Sequence, residues 1–110
     1  MEVTIKDSAD VKILDFEGKL DSNSSDYAQE QLNQLLDQGV KKIVINLKKL
    51  EFIGSAGLRV LLFTQKTIIA SGGEIRVCNA NEQVQDIFGI SGFNTILAIF
   101  NSETDALLDF

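Results

Sequence analysis

The stretch "KKIVINLKKLEFIGSAGLRVLL", residues 41–62, passes from an apolar run through a Gly-Ser-Ala-Gly turn into a second apolar segment with a different period. "IVINL" is apolar at nearly every position, as expected of a strand covered on both faces. After Ser55, the residues Leu58, Leu61, Leu62, Gln65 and Ile69 fall on one side of a helix that stops near Ser71-Gly72-Gly73. "KKLEF" crosses from the strand into the turn.

The same alternation extends in both directions. "EVTIK" (2–6) carries Val3 and Ile5 on one face, and "VKILDFEG" (11–18) follows the polar turn "DSAD", which predicts an N-terminal hairpin. "GKLDSNSSD" (18–26) is a polar loop into a helix capped by Ser24 or Ser25, with Asp26 in the first turn where its charge suits the helix dipole. That helix has an apolar stripe of Ala28, Leu32, Leu35 and Leu36 and ends at Gly39. Beyond the central helix come a strand "EIRVC" (74–78) and an Asn-capped helix "NANEQVQDIFG" (79–89) with Val84, Ile87 and Phe88 inward. A strand "TILAIF" (95–100) and a last helix "SETDALLDF" (102–110), opened by Ser102 and Asp105, complete the chain. Alternating strands and helices imply parallel crossovers. The expected fold class is α/β: a single small mixed β-sheet of about four or five strands with about four α-helices, forming one domain over residues 1–110.

Composition narrows the chemistry. The chain has 110 residues, 45% of them hydrophobic, and no proline; a domain of this size buries about two thirds of its unfolded surface and folds without staples. There is no histidine, which removes Ser-His-Asp and Cys-His catalysis and histidine metal sites together. No acidic spacing resembles a calcium loop, so neither a metal nor a cofactor is expected. A net charge of −6 disfavours nucleic acid as a partner. The N-terminus lacks the apolar segment of a signal peptide and no run approaches a membrane span, so the expected setting is cytoplasmic, with no membrane partner. The one cysteine, Cys78, lies in a short apolar strand and reads as buried filler.

The Gly-Ser-Ala-Gly turn fails as a P-loop, because no Gly-Lys-Ser/Thr follows, and as a dinucleotide fingerprint, because only two glycines are present. It fails as a nucleophile elbow, which needs glycine where Ile53 stands and a histidine elsewhere. Three readings remain open on the residues alone: Ser55 caps the helix, Ser55 accepts a phosphate, or the turn is a backbone nest for an anion.

These segments, taken in order, resemble the STAS domains, and among them the bacterial anti-sigma factor antagonists of the SpoIIAA-like type. "GKLDSNSSD" is similar to the family's Gly-x-Leu-Asp loop, and "IVINLKKLEFIGSAGLRVLL" to its strand, Asp-Ser-Ser/Ala-Gly-Leu turn and helix; the remaining order of elements matches to the end of the chain. The resemblance implies a regulatory binding domain, not an enzyme, taking part in partner switching in transcription regulation. Its partner would be an anti-sigma factor that is also a serine kinase, and a PP2C-type phosphatase would reset it. It implies Ser55 as the phosphorylation site and a partner-binding surface of Asp21, Ser22, Asn23, Gly54, Ala56, Gly57, Leu58 and Arg59. Where the family has aspartate before the serine, this chain has Gly54, which affects kinase recognition or, through glycine's access to positive φ, the turn itself. Ala56 replaces a frequent second serine, and Arg59 stands in place of a small residue. The alternative is a constitutive, unphosphorylated STAS adaptor in a signalling or transport assembly.

Overall fold

The computed structural model describes residues 1–110 and runs β1 (Glu2–Ser8), β2 (Val11–Leu20), α1 (Ser25–Asp37), β3 (Lys42–Ile53), α2 (Ser55–Ala70), β4 (Glu74–Cys78), α3 (Glu82–Ser91), β5 (Ala98–Phe100) and α4 (Glu103–Leu107), with a 3-10 turn at Phe93–Thr95. The strands form one five-stranded mixed sheet in sequence order. β1 and β2 pair antiparallel, closed at Ser8 and Val11, so the hairpin loop is Ala9 and Asp10. Every later neighbour is parallel, joined by a helical crossover or, before β5, by α3 and the 3-10 turn. The expected α/β architecture is the observed one.

Period-two alternation along the central strands supplies two apolar faces. Leu14, Phe16, Ile43, Ile45, Leu47, Ile75 and Val77 join the main core with Leu32 and Leu35 of α1, Leu61 and Ile68 of α2, and Val84 and Phe88 of α3. Val11, Ile13, Val44 and Cys78 form a smaller cluster with Ala106 of α4. Each of the Val, Leu, Ile and Phe side chains among these stabilises the fold by roughly 1.5–3 kcal/mol when fully buried. Arg76 clips the end of the chain onto this second face. Its guanidinium donates to the carbonyls of Ala106 (3.0 Å), Leu108 (2.7 Å) and Asp109 (3.2 Å), and lies 4.2 Å from the Phe110 ring centroid. No helix is long and apolar enough to cross a membrane.

Four local expectations are corrected. β3 continues to Ile53 through the polar "KKLEF", because two irregularities in its pairing with β2, after Asp15 and after Gly18, let β3 carry extra residues and keep its register with β2 to the pair Leu20–Ile53. β5 starts only at Ala98, since Phe93–Thr95 is a 3-10 turn. The buried face of α2 is Gly57, Val60, Leu61, Thr64 and Ile68, whereas Ile69 is 57% exposed; the stripe is rotated from the leucine pattern by the close seat of Gly57, described below. Ser24 does occupy the N-cap of α1, but its hydroxyl makes no capping bond to that helix.

Candidate functional site

Parallel β2 and β3 end side by side, and the chain leaves both at the same edge of the sheet. Leu20 and Ile53, fully buried, are the last register pair. One step further, the Gly54 N–H donates to the Leu20 carbonyl at 2.9 Å, which ties the α2 turn to the loop after β2. That loop is held by its own polar groups. Asp21 Oδ1 accepts from the Asn23 N–H (2.9 Å), and the Asp21 carbonyl accepts from the N–H groups of Ser24 (3.2 Å) and Ser25 (2.9 Å). Ser24 Oγ donates to the Lys19 carbonyl (2.7 Å) and accepts from the Asp21 N–H (3.1 Å), which is why it is not available as a helix cap. Asp21 is half-buried; Ser22 and Asn23 form the exposed tip.

Ser55 is not the N-cap of α2. Gly54 holds that place, extended at φ −104° and ψ −177°, and its carbonyl accepts the first helical bond, from the Leu58 N–H at 3.0 Å. Ser55 is therefore the first helical residue, exposed, with its hydroxyl engaged in no capping bond. With glycine at the cap, no side chain satisfies the first-turn N–H groups. Gly54 has a negative φ, so the turn does not depend on glycine's special freedom; a Cβ there would meet Phe52 Cε2 at 3.4 Å and Asp21 Cα and Cβ at 3.9 Å, which is ordinary contact.

Gly57 differs. A Cβ on it would lie 2.7 Å from both Leu20 Cγ and the Leu20 carbonyl oxygen, and 2.8 Å from Ile53 Cγ1. Only glycine lets α2 begin this close to the ends of β2 and β3. Gly57 is buried and Leu58 is half-buried against the core, so these two support the surface from beneath; Ala56 is half-buried at its edge, and Arg59 is exposed.

A groove of about 510 Å³ opens between α1 and α2, lined by Ser25, Asp26 and Gln29 on one side and Ala56, Arg59, Val60, Leu62, Phe63 and Lys66 on the other. Its floor is tied across by Gln29, which donates to Thr64 Oγ1 at 3.1 Å and satisfies that buried hydroxyl. Phe63 is 53% exposed. The one signal for it in the sequence is an aromatic residue off the buried stripe of α2; neither it nor Gln29 nor Lys66 is among the sequence-predicted site residues. The structure thus brings Ser22, Asn23, Gly54, Ser55, Ala56 and Arg59 to one end of the molecule, around the Asp21 loop. α2 contains Arg59 and Lys66 and no acidic residue. Neither cation belongs to any of the five ion pairs, which involve Lys6, Lys12, Lys42 and Arg76.

Comparison with known proteins adds the following. The family model for the STAS domain matches residues 2–106. An anti-sigma F factor antagonist of Paenibacillus polymyxa is 32% identical over 110 residues, covering 99% of this chain and 94% of that protein. BtrV of Bordetella bronchiseptica is 31% identical, covering 100% and 95%. In fold, the chain matches an anti-sigma factor antagonist from Mycobacterium paratuberculosis with a TM-score of 0.89 at 20% identity, over 96% of this chain and 90% of that one. It also matches the Bacillus cell fate determinant SpoIIAA in its phosphorylated form, with a TM-score of 0.75 at 18% identity over 96% of each chain. The unphosphorylated form of SpoIIAA gives 0.76 at 16% identity, over 98% and 96%.

Proposed function

Given that this chain belongs to the STAS domain family, we propose that it is an anti-sigma factor antagonist whose partner surface is switched by a phosphate on Ser55. The observation that carries the reading is the Ser55 hydroxyl itself, exposed, uncommitted to any cap, at the first residue of α2 and next in sequence to Ala56 of the groove lining. A capping serine would have to give up a bond to be modified; this one does not.

In this reading the unphosphorylated surface, made by Asp21, Ser22, Asn23, Gly54, Ser55, Ala56 and Arg59 above the supporting Gly57 and Leu58, binds an anti-sigma factor with serine-kinase activity. That partner transfers the γ-phosphoryl group of ATP to Ser55 Oγ, releasing ADP, while a base on the kinase takes the hydroxyl proton. The phosphate brings a charge of about −1.5 to −2. At the first turn of α2 the helix dipole favours it by about 0.3–1 kcal/mol, so the modified chain stays folded. The cost falls on the complex. A hundredfold loss of affinity needs about 2.8 kcal/mol, and an uncompensated charge buried at an interface costs about 2–5 kcal/mol. A PP2C-type phosphatase hydrolyses the phosphoester and resets the surface. The setting is the cytoplasm, where ATP and sigma factors meet. The existence of SpoIIAA in both forms supports the view that this fold accommodates the modification.

Gly54 favours a second reading, a constitutive adaptor, since it removes the carboxylate that the resemblance puts beside the serine. One experiment separates the two. The chain is incubated with ATP, Mg²⁺ and a serine-kinase anti-sigma factor from its gene neighbourhood, and intact mass and fragment spectra are recorded. One phosphate on Ser55, with loss of the complex, is expected; stable binding with no phosphate on Ser55 would establish the adaptor.

A further inference from the structure

We propose that Arg59 is the internal counter-ion of the phosphate on Ser55, so that phosphorylation adds negative charge and at the same time withdraws a cation from the α1–α2 groove. The inference rests on Ser55 as the acceptor and concerns what the phosphate does once attached.

Ser55 and Arg59 are four residues apart on α2 and both exposed. Side chains at this spacing lie on one face, with Cβ atoms about 5–6 Å apart. Helical side chains also lean toward the N-terminus, so Arg59 spreads over the turn that carries Ser55, not away from it. Nothing competes for it in the resting chain. Arg59 has no carboxylate within ion-pair distance, α2 offers none, and Asp26, which faces it across the groove, makes no pair with it. Lys66, the other cation of α2, is eleven residues from Ser55, a rise of about 16 Å along the helix, and is out of reach. Around this end of α2 stand Asp21 of the loop and Asp26 of α1, which would repel a phosphate, Lys19 and Glu51, which share a cleft with Asp21 and offset one another, and Arg59, which would attract it.

A guanidinium offers two parallel N–H donors to two phosphate oxygens, a stronger and more directional pair than an ammonium makes. In the resting protein the same guanidinium lines the groove and is free to meet an acidic side chain of a partner. Pairing draws it back one helical turn. The partner then loses an attractive contact and gains a repulsive one through a single modification.

The test uses phosphoserine incorporated at position 55 during translation, in the parent sequence and in Arg59→Ala, Arg59→Lys and Lys66→Ala variants, with the phosphate titrated by ³¹P NMR. A free phosphoserine titrates near pH 6. The parent is expected to titrate at least about half a unit below Arg59→Ala, with Arg59→Lys in between and Lys66→Ala like the parent. The difference should shrink at ~1 M salt, where the screening length is about 3 Å. Identical midpoints for the parent and Arg59→Ala would overturn the pairing, as would an equal shift in Lys66→Ala. Because no kinase is needed, this result is independent of the function proposed above. A kinase that leaves Ser55 unmodified would refute the switch and not the pairing.

Discussion

Replacing Gly57 with alanine should destabilise the protein by about 2 kcal/mol, and the sign is informative because helix propensity alone predicts the opposite. In a helix interior, Gly→Ala is worth about 1 kcal/mol in favour of alanine. At Gly57 the new Cβ would come within 2.7 Å of Leu20 Cγ and of the Leu20 carbonyl oxygen, and within 2.8 Å of Ile53 Cγ1. The carbonyl cannot rotate aside, since it accepts the Gly54 N–H that anchors the turn. Overpacking costs about 1–3 kcal/mol, and contact with backbone puts this case at the upper end, near 3. The difference is the ~2 kcal/mol expected, equivalent to a fall of roughly 8 °C in Tm for a chain of this size. Gly89 provides the control. It lies inside α3, and a Cβ added there would meet nothing within 4 Å, so Gly89→Ala should stabilise by up to about 1 kcal/mol. Urea denaturation of the three proteins measures both changes. If Gly57→Ala matched or exceeded the parent, moving in the same direction as Gly89→Ala, the close seat of α2 on Leu20 would be refuted.

Three further outcomes follow from the geometry. Gly54→Asp should fold normally and gain a few tenths of a kcal/mol from capping α2, because the site is ordinary extended backbone with room for a Cβ; a clear loss of stability in urea would show that the turn does need glycine. Burial pushes the Cys78 thiol up to about 11, so a maleimide at pH 8 should leave it unmodified while the chain is folded and label it on denaturation; labelling of the native protein at the rate of a free thiol would contradict this. The Glu103 carboxyl is held below its ordinary value of 4.5, chiefly by the Asn46 amide hydrogen bond and then by Lys6. Since the folded state is the one with the lower pKa, its contribution is complete above that ordinary value and is lost as pH falls through the folded one. Glu103→Gln should therefore flatten the acid-side decline in stability, and parallel acid curves for the two proteins would refute the assignment.

Residues 41–62 make the strand-to-helix passage legible because apolar periodicity changes there from continuous to helical, and the outer segments repeat the pattern. What could not be read was set by tertiary contact. "KKLEF" has the polarity of a connection, and only pairing with β2 across two irregularities keeps it a strand. Ser55 is by sequence as good a cap as any serine before an apolar run; Gly54 displaces it because the Gly54 N–H is held by Leu20, a residue more than thirty positions away. Ser24 is legible as a capping position but not in its bonding, since its hydroxyl is claimed by Lys19 and Asp21. The buried face of α2 differs by one side-chain column from the leucine pattern for a similar reason. Leucine content points to Leu58 and Leu62, whereas the helix is oriented by its smallest residue, Gly57. The groove needs two helices from separate parts of the chain and has no local signature.

Charge arithmetic on the turn shows how such a switch can work without the aspartate. Relative to the pattern that the family resemblance implies, Gly54 removes one negative charge and Arg59 adds one positive charge, so the resting turn is more positive by two units. A phosphate of about −1.5 to −2 on Ser55 then brings this turn to roughly the charge that the aspartate-bearing pattern has before any phosphate is added. A partner reading only the summed charge would take the modified form of this chain for the resting form of such a relative. The discrimination must therefore lie in where the charge stands. A carboxylate at position 54 would project from the extended cap beside Asp21, whereas a phosphate on Ser55 would stand one residue further on, next to Ala56 of the groove lining. If Arg59 holds the phosphate there, the groove end of the surface changes most between the two states, and the Asp21 loop changes least. On the proposed switch, the contacts that would report phosphorylation to a partner are those along α2, with the loop as the constant part of the surface.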